Sequence, residues 1–113
     1  MNPLLEQGDL IELDFDPTKD HEPAKRRSAL VVSVNYFNNI LSGLTVVCPI
    51  TSVANGHPLH IALSSDGLVG GYICVEQIRA VDLKRRNCAP VGERLDADTM
   101  AQVLEAIGAV FGI

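Results

Sequence analysis

Residues 11–16 are Ile-Glu-Leu-Asp-Phe-Asp, a run in which apolar and acidic side chains alternate. This period of two is typical of a β-strand with one face in a core and the other in water. The next segment, residues 16–27, has two prolines, seven charged side chains and almost no apolar residue. A loop of this length is uncommon in a small domain unless it is functional. The sequence therefore predicts an amphipathic first strand followed by a mobile functional loop.

Two apolar, β-branched runs follow this loop and are expected to be central strands of a sheet. They cover residues 29–34 and 44–48, and their continuous apolar character suits strands covered on both faces. Between them, residues 35–43 contain two of the five aromatic side chains and predict an irregular turn. Pro49 has no N–H to donate, so we expect it to end the pairing of the second run and to leave residues 50–52 at the mouth of the sheet.

The second half of the chain predicts further short strands joined by turns. Asn55-Gly56 is a strong tight-turn dipeptide, and the apolar alternation over residues 59–63 predicts a hairpin after it. Gly70-Gly71 marks a second loop before the apolar run 72–75, and a last short strand extends to Val81. Short strands at this spacing indicate a mainly β domain, built as a small antiparallel β-barrel or curled sheet.

The C-terminal segment changes period and predicts an α-helix. Its apolar residues recur at intervals of three and four, at Met100, Val103, Leu104, Ile107, Val110 and Phe111. Asp96 or Asp98 is available as the N-cap. At roughly 25 cal/mol per Å², burial of this stripe would contribute several kcal/mol, so we expect the helix to pack against the barrel or a second subunit.

The composition limits the class of protein. With 113 residues, 47% of them apolar and 20% charged, the chain suits one compact domain over residues 1–113. No stretch approaches the ~20 apolar residues that cross a bilayer, and residues 1–8 lack the features of a signal peptide. We therefore expect a cytoplasmic protein with no membrane role. Three cysteines without a CxxC pair predict reduced thiols.

The histidines give little support for a metal site. His21, His57 and His60 are too few and too scattered for a recognised ligand pattern. If residues 57–60 form a strand, the rings of His57 and His60 point to opposite faces. The sequence therefore predicts neither a metal nor another cofactor.

The basic residues are concentrated in two triplets. The net charge of −5 argues against a protein that coats nucleic acid, because phosphate binding depends on Lys and Arg. Six of the nine basic residues nevertheless lie within residues 25–27 and 84–86. A local positive patch can form on an acidic protein, although a solvated loop is an equally good interpretation of residues 84–86.

Several motifs, taken in order, resemble those of the MazF/PemK (Kid) family of toxins. With the family's pattern in parentheses, they are Gly8-Asp9 (GD), Asp16-Pro17-Thr18 (DPT), His21-Glu22 (HEQ), Arg27 to Ser33 (RPA, apolar run, S), Val47 to Ser52 (V-x-P-x-T-S/T) and Glu76 to Arg79 (D-Q-x-R/K). With the closing helix, the resemblance covers residues 8–111. On these motifs the chain is identified as a member of this family, whose toxins belong to type II toxin-antitoxin systems.

The resemblance implies a fold, an activity and partners. The fold is an SH3-like β-barrel with a C-terminal helix, assembled as a homodimer. The activity is sequence-specific, metal-independent cleavage of single-stranded RNA, which leaves 2′,3′-cyclic phosphate and 5′-hydroxyl ends. The partner is a cognate antitoxin whose acidic tail covers the RNA channel, since a groove that accepts phosphates also accepts carboxylates. DNA is contacted only through this antitoxin.

The resemblance also implies site residues, position by position. Arg27 stands at the family's catalytic arginine, where a planar guanidinium can stabilise a pentavalent phosphorane. Thr51 stands at its catalytic threonine, where a hydroxyl can orient the phosphate. The general base is left open between His21 and Glu22, with His21 preferred because imidazole titrates near neutrality. The residues expected to contact RNA are Lys25, Arg26, Ser52, Glu76, Gln77, Arg79 and Arg85.

Three departures from the family pattern keep other functions open. Glu76 replaces an aspartate, Cys74 stands where Kid-like members have an arginine, and Ser28 replaces a proline. One alternative is therefore a degenerate member that only binds an antitoxin. Another is a non-catalytic, gyrase-binding toxin of the CcdB type, which would not need an arginine before the second strand and a threonine after the third.

Overall fold

The structure, a computed structural model, describes residues 5–15, 26–34, 44–64 and 67–113. Within these ranges it has seven antiparallel strands and one α-helix: β1 (Asp9–Asp14), β2 (Arg26–Val31), β3 (Leu44–Thr51), β4 (His60–Ala62), β5 (Tyr72–Cys74), β6 (Arg79–Asp82), β7 (Ala89–Arg94) and α1 (Ala97–Phe111). A 3-10 turn, Val75–Gln77, lies between β5 and β6. The mainly β class and the C-terminal helix predicted from the sequence are confirmed. The predicted loop, apart from Arg26 and Arg27, and the predicted turn at 35–43 lie outside the described residues.

Strand β3 is the centre of the sheet, because it pairs with three other strands. The strand order is β4-β5-β3-β2-β1-β7, and β6 also pairs with β3. Along one edge β3 pairs with β2. Along the other edge it pairs first with β6, over residues 44–47, and then with β5, at residues 50–51. A strand that changes partner in this way joins two parts of a strongly curved sheet.

Pro49 does not end the pairing of β3, so that prediction is wrong. It lies opposite Ala29 of β2, and the strand continues to Thr51. On the other edge, the last residue paired with β6 is Val47 and the first paired with β5 is Ile50. On this edge Pro49 therefore lies between the residues that pair with β6 and those that pair with β5. Because neither of these strands is paired with β3 at this point, the lack of an N–H in proline costs the sheet little.

The hairpin predicted at Asn55-Gly56 is also wrong. Gly56 has a φ of 72°, which suits a turn, but β3 and β4 are not neighbours. Strand β5 lies between them, with Ile73 opposite both Ile50 of β3 and Ile61 of β4. The alternation over residues 59–63 does produce a strand, β4, but a strand's own period does not specify its partner.

The sheet separates two apolar clusters. The first includes Leu10, Leu30, Cys48, Ile73 and Val103, and is covered by α1. The second is formed by the other face and includes Ile11, Leu13, Phe15, Ala29, Val31, Val47 and Val81. Residues two apart in a strand share a face. Continuing the second face along β2, β3 and β6 therefore leads to Arg27, Thr51 and Arg79.

Helix α1 is defined by its caps and by one buried stripe. The Asp96 carboxylate accepts a hydrogen bond from the Thr99 N–H at 2.9 Å, as an N-cap does, and Gly112 ends the helix with a φ of 74°. Val103 is fully buried in the first cluster. The rest of the predicted apolar stripe is only partly buried. Leu104, Val110 and Phe111 are 40, 47 and 64% exposed, respectively.

Cys48, Cys74 and Cys88 are free thiols, and the first two are buried. Burial raises the pKa of the Cys48 thiol to about 12, so this cysteine is a packing residue and not a nucleophile. In the ranges that the structure describes, no helix is both long and apolar enough to span a membrane.

Candidate functional site

Two arginine side chains meet on one aromatic ring. Phe15 follows β1 and is 8% exposed. The Arg27 Cζ lies 5.7 Å and the Arg79 Cζ 4.8 Å from the centre of the Phe15 ring. A guanidinium within about 6 Å of an aromatic ring is attracted by the negative face of the ring. The ring therefore helps to hold two positive charges close together in spite of their repulsion.

The strand register brings Thr51 to the same place. Ala29 lies opposite Pro49. Extending this antiparallel register by two residues places Arg27 opposite Thr51. Thr51 is partly buried, and its Oγ1 accepts a hydrogen bond from the Val53 N–H at 3.2 Å. This hydrogen bond orients the hydroxyl and leaves its own proton available for donation to a ligand.

Arg27 and Arg79 differ from the other described arginines, each of which has a carboxylate or carbonyl partner. Arg26 lies 3.5 Å from a carboxylate oxygen of Glu12 and 3.4 Å from one of Asp14. The others are also engaged, Arg85 with Asp82 at 3.9 Å, Arg94 with Asp9 at 2.6 Å and Arg86 with the Phe15 carbonyl. Within the described part of the chain, no carboxylate forms an ion pair with Arg27 or Arg79. No described residue neutralises their positive charge, which suits them to attract an anion.

Cys74 connects this arginine site to Glu76. Its thiol is buried and close to the backbone N–H of Thr51. Burial raises the pKa of the Cys74 thiol, the negative charge of Glu76 raises it further, and the positive charge of Arg27 lowers it. Glu76 itself lies in the 3-10 turn between Cys74 and Arg79, so the chain places it next to this site.

A histidine holds the Glu76 carboxylate. The His60 Nε2 and the Glu76 Oε2 are 2.8 Å apart, and the His60 side chain is 6% exposed against 26% for Glu76. His57 stacks on His60, with ring centres 4.8 Å apart and ring planes at 20°. The expectation that these two rings point to opposite faces is wrong. It assumed a strand over residues 57–60, whereas β4 begins only at His60.

The surroundings keep Glu76 ionised. Partial desolvation of the carboxyl acts to raise its pKa, but the hydrogen bonds from His60 and from its own backbone, together with the nearby imidazoles, outweigh this effect. The pKa of Glu76 is therefore lowered from its ordinary value of 4.5. The Gln77 Nε2 lies 3.4 Å from the same carboxylate oxygen. Glu76 is thus a negative charge at neutral pH beside the arginine site.

His57, His60 and Glu76 also deserve comparison with a metal site, since their donor atoms lie within 4.8 Å of one another. A histidine that binds a metal usually donates its other ring N–H to an acceptor. The His57 Nδ1 instead accepts a hydrogen bond from the Leu59 N–H at 3.1 Å. The His60 Nδ1 is buried and has no partner among the described residues. This pattern suits a carboxylate bonded to an imidazole better than a metal, and the absence of a metal stays a prediction.

The remaining residues predicted from the sequence are not all near the Phe15 ring. Ser52 and Gln77 are exposed and directly follow Thr51 and Glu76 in the chain. Arg26 and Arg85 are paired with carboxylates, so their charge is partly neutralised. Three predicted residues, including both candidates for the general base, lie outside the described residues: His21, Glu22 and Lys25.

The sequence reasoning missed Phe15, His60 and Gly71 as residues of the site. The alternation of β1 identifies Phe15 only as a core residue, because its stacking with two arginines depends on tertiary structure. Gly71 has a φ of 116°, and a Cβ at this position would overlap the carbonyl oxygen of Thr51. The pair Gly70-Gly71 indicates a loop, but not the close approach of this loop to β3.

The fold and the site together define a class of protein. It is a small curled antiparallel sheet with a C-terminal helix, and it brings a threonine together with two arginines that have no ion pair among the described residues. The chain belongs to the family of PemK-like, MazF-like toxins of type II toxin-antitoxin systems, since the family model matches residues 6–111. This match confirms the resemblance in the motifs.

Relatives and solved structures agree with the family assignment. The chain is 37% identical over 100 residues to the endoribonuclease toxin ChpB of Escherichia coli K12, covering 81% of this chain and 82% of ChpB. It is 33% identical to the endoribonuclease toxin MazF of the same strain, over 77% of each chain. MazF of Deinococcus radiodurans has a TM-score of 0.86 and 31% identity, covering 99% of this chain and 100% of that one. A MazE-MazF structure from that organism has a TM-score of 0.84 and 28% identity, covering 99% of both chains.

Proposed function

We propose that this protein is the toxin of a type II toxin-antitoxin system and a sequence-specific, metal-independent endoribonuclease that cleaves single-stranded RNA. The observation that carries the proposal is the pair of arginines stacked on Phe15, which have no carboxylate partner among the described residues. Two guanidiniums beside a threonine hydroxyl suit a phosphate that gains negative charge during a reaction. The names of ChpB and MazF as endoribonuclease toxins support this interpretation.

The proposed reaction uses the 2′-hydroxyl of the RNA. A base removes its proton while the 2′-oxygen bonds to the adjacent phosphorus, and the bond from phosphorus to the 5′-oxygen breaks as that oxygen gains a proton. The products are a 2′,3′-cyclic phosphate and a 5′-hydroxyl. Arg27 stabilises the charge of the phosphorane, Arg79 binds a neighbouring phosphate oxygen, and Thr51 donates to a non-bridging oxygen. The proposed base is His21, with Glu22 as the alternative.

The proposed partner is an antitoxin with an acidic segment. Solved MazE-MazF structures resemble this chain, which supports a cognate antitoxin. An acidic segment would meet the same positive charge at Arg27 and Arg79 that RNA phosphates would meet. The antitoxin would therefore silence the toxin by occupying the arginine site. The proposed location is the cytoplasm, and contact with DNA is proposed only through the antitoxin.

The proposed assembly is a homodimer, and helix α1 supports it. Leu104, Val110 and Phe111 are 40, 47 and 64% exposed, and Ile113 is 96% exposed. Apolar side chains gathered in this way near one end of a helix favour an interface with a second subunit.

The alternative functions make different demands on the site. A gyrase-binding toxin of the CcdB type acts through protein contact, and would not require two unpaired arginines next to a threonine. A degenerate member of the family would keep the fold and the antitoxin surface while losing cleavage. The two arginines, which have no ion pair among the described residues, favour the nuclease over the gyrase-binding toxin, and an assay of cleavage separates the nuclease from the degenerate member.

Cleavage of RNA in EDTA tests the proposal. The purified protein would be incubated with single-stranded RNA of mixed sequence, and the fragment ends would be identified by sequencing and mass. The proposal expects cuts at a short motif, with cyclic phosphate and 5′-hydroxyl ends. RNA left intact across many sequences would contradict a nuclease and favour an antitoxin-binding module. Cleavage that stops in EDTA would contradict the metal-independent reaction.

A further inference from the structure

Glu76 presents an electrostatic problem for a surface that binds RNA. Its carboxylate is 26% exposed, and it lies in the 3-10 turn between β5, which pairs with Thr51, and β6, which begins at Arg79. A fixed negative charge repels RNA phosphates, whereas Arg27 and Arg79 attract them. A carboxylate in this place weakens binding unless it contacts a part of the RNA that is not a phosphate.

Two histidines hold this carboxylate on the surface of the site. The His60 Nε2 donates to the Glu76 Oε2 at 2.8 Å, and the His57 ring stacks on the His60 ring at 4.8 Å. His60 lies opposite Cys74 in the pairing of β4 with β5, so the side chains of these two residues share a face of the sheet. The imidazole therefore approaches Glu76 from the side of the site.

The two members of this pair differ in their access to solvent. The His60 side chain is 6% exposed and cannot reach a ligand, whereas the Glu76 side chain is 26% exposed. One carboxylate oxygen is occupied by His60 and is also 3.4 Å from the Gln77 amide. His60 thus supports the carboxylate, and Glu76 can accept further hydrogen bonds from a ligand.

We propose that Glu76 is a specificity-determining residue that accepts a hydrogen bond from a donor group of the RNA, and that His60 and His57 are positioning residues for its carboxylate. This inference rests on the proposed function. RNA offers two kinds of donor near a cleaved phosphate, the 2′-hydroxyls of the sugar and the N–H groups of the bases, which are the amino groups of adenine, cytosine and guanine and the ring N–H of guanine and uracil. An ionised carboxylate can only accept hydrogen bonds. At a base position in contact with Glu76, a base whose N–H faces the carboxylate would be preferred over one that presents only acceptors there.

The test compares the cleavage preferences of the whole protein and its variants. An RNA pool with every base at each position near the cut gives kcat/KM for each sequence. Glu76→Gln introduces an amide that donates as well as accepts, and should reduce the preference at one position by about tenfold while the fragment ends stay the same. Glu105→Gln makes the same change on an exposed part of α1 and should leave every preference unchanged.

Two substitutions of His60 separate positioning from general structural support. His60→Leu removes the donor and should weaken the preference at the same position as Glu76→Gln. His60→Gln places an amide N–H near the position of Nε2, and should restore most of the wild-type preference. Thermal unfolding of each variant is measured in parallel. If His60→Leu does not fold, the role of His60 is judged from the other two variants. Glu76→Gln should then lose the preference at one position, and His60→Gln should keep most of it.

Modified RNAs identify the donor. One series removes single 2′-hydroxyls away from the cut, and the other removes or blocks single base donors, with inosine for guanosine, purine riboside for adenosine and N3-methyluridine for uridine. The wild type should lose about tenfold in kcat/KM for one of these changes at one position, and Glu76→Gln should be insensitive to the same change. The series in which this occurs shows whether the donor is the sugar or a base.

Two negative results have different meanings. If Glu76→Gln keeps the wild-type preference at every position and the wild-type response to both series of modified RNAs, this inference is overturned and the proposed nuclease stands. If the wild-type protein leaves all RNA intact, the proposed function fails, and the inference fails with it.

Discussion

Arg26 and Arg27 are neighbours in the chain but have different roles in the structure. Arg26 forms ion pairs across the sheet with Glu12 and Asp14, and its guanidinium donates to the Asn87 carbonyl at 2.7 Å. Arg27 instead stacks on the Phe15 ring, without an acidic partner among the described residues. Adjacent residues of a strand point to opposite faces. The basic triplet in the sequence is therefore divided between a structural arginine and one available to a ligand.

Removal of the Thr51 hydroxyl tests its role at the phosphate. Thr51→Val keeps the shape of the side chain but cannot donate, so we expect kcat to fall about 100-fold with little change in fragment ends. Thr51→Ser retains the hydroxyl and serves as the control, with most of the rate preserved. Single-turnover cleavage measures both. Equal rates for Thr51→Val and the wild type would remove Thr51 from the site.

Gly71 tests the close approach of its loop to Thr51. Gly71→Ala places a Cβ against the Thr51 carbonyl at a φ of 116°, so we expect a loss of roughly 1–3 kcal/mol in the free energy of unfolding and a lower cleavage rate. Gly70→Ala is the matched control, because a Cβ at Gly70 meets no atom within 4 Å among the described residues. Urea unfolding and cleavage rates are the measurements. If Gly70→Ala and Gly71→Ala reduce stability and cleavage equally, the close approach of Gly71 to Thr51 is not the cause.

At the scale of the elements, local patterns were sufficient for some predictions and insufficient for others. The period of two in β1 and the wider period in α1 are local properties of the chain, and both elements are present. The partners of β3 are not local. The predictions at Pro49 and at Asn55-Gly56 fail because β5, which follows both in sequence, inserts next to β3.

The site could be predicted from the sequence only in part. Its family motifs indicate Arg27 and Thr51, and the register brings these two positions together. The motifs do not reveal which arginines lack an ion pair, since this depends on the pairing of Arg26 across β1 and β2. They also do not reveal the contact between His60 and Glu76, which joins a strand to a 3-10 turn sixteen residues later.

The N-cap of α1 predicts a dependence of stability on pH. The Thr99 N–H and hydroxyl donate to the Asp96 carboxylate and lower its pKa from 3.8. The cap's contribution to stability is therefore complete above about pH 4 and is lost as the pH falls through the lowered pKa of the folded state. Asp96→Asn retains a capping residue that does not titrate, so its melting temperature should fall less between about pH 4 and pH 2.

Circular dichroism at a series of pH values measures this effect. Asp98→Asn removes a carboxylate from the same turn of α1 without removing the hydrogen bonds to Thr99, and it should keep the pH dependence of the wild type. The account of the cap is wrong if Asp96→Asn and the wild type lose melting temperature equally in acid.

At the scale of the whole molecule, the exposed apolar residues of α1 predict the state of assembly. Phe111→Glu places a charge among apolar side chains at the proposed interface, and should convert a dimer into a monomer at micromolar concentration. Gln102→Glu adds the same charge to an exposed polar position of the helix and should leave the dimer intact. Size-exclusion chromatography with light scattering measures the mass. A dimer that withstands Phe111→Glu would place the interface elsewhere.

Arg27, which has no acidic partner among the described residues, is proposed to stabilise the reacting phosphate, and its ion-paired neighbour Arg26 is not. The most direct measurement is single-turnover cleavage of one RNA in EDTA by Arg27→Ala and Arg26→Ala, with thermal unfolding of both. We expect Arg27→Ala to lose at least about 100-fold in rate while it remains folded. Arg26→Ala should keep most of the rate and lose only about 0–1 kcal/mol of stability with its ion pairs. Full activity in Arg27→Ala would contradict the account.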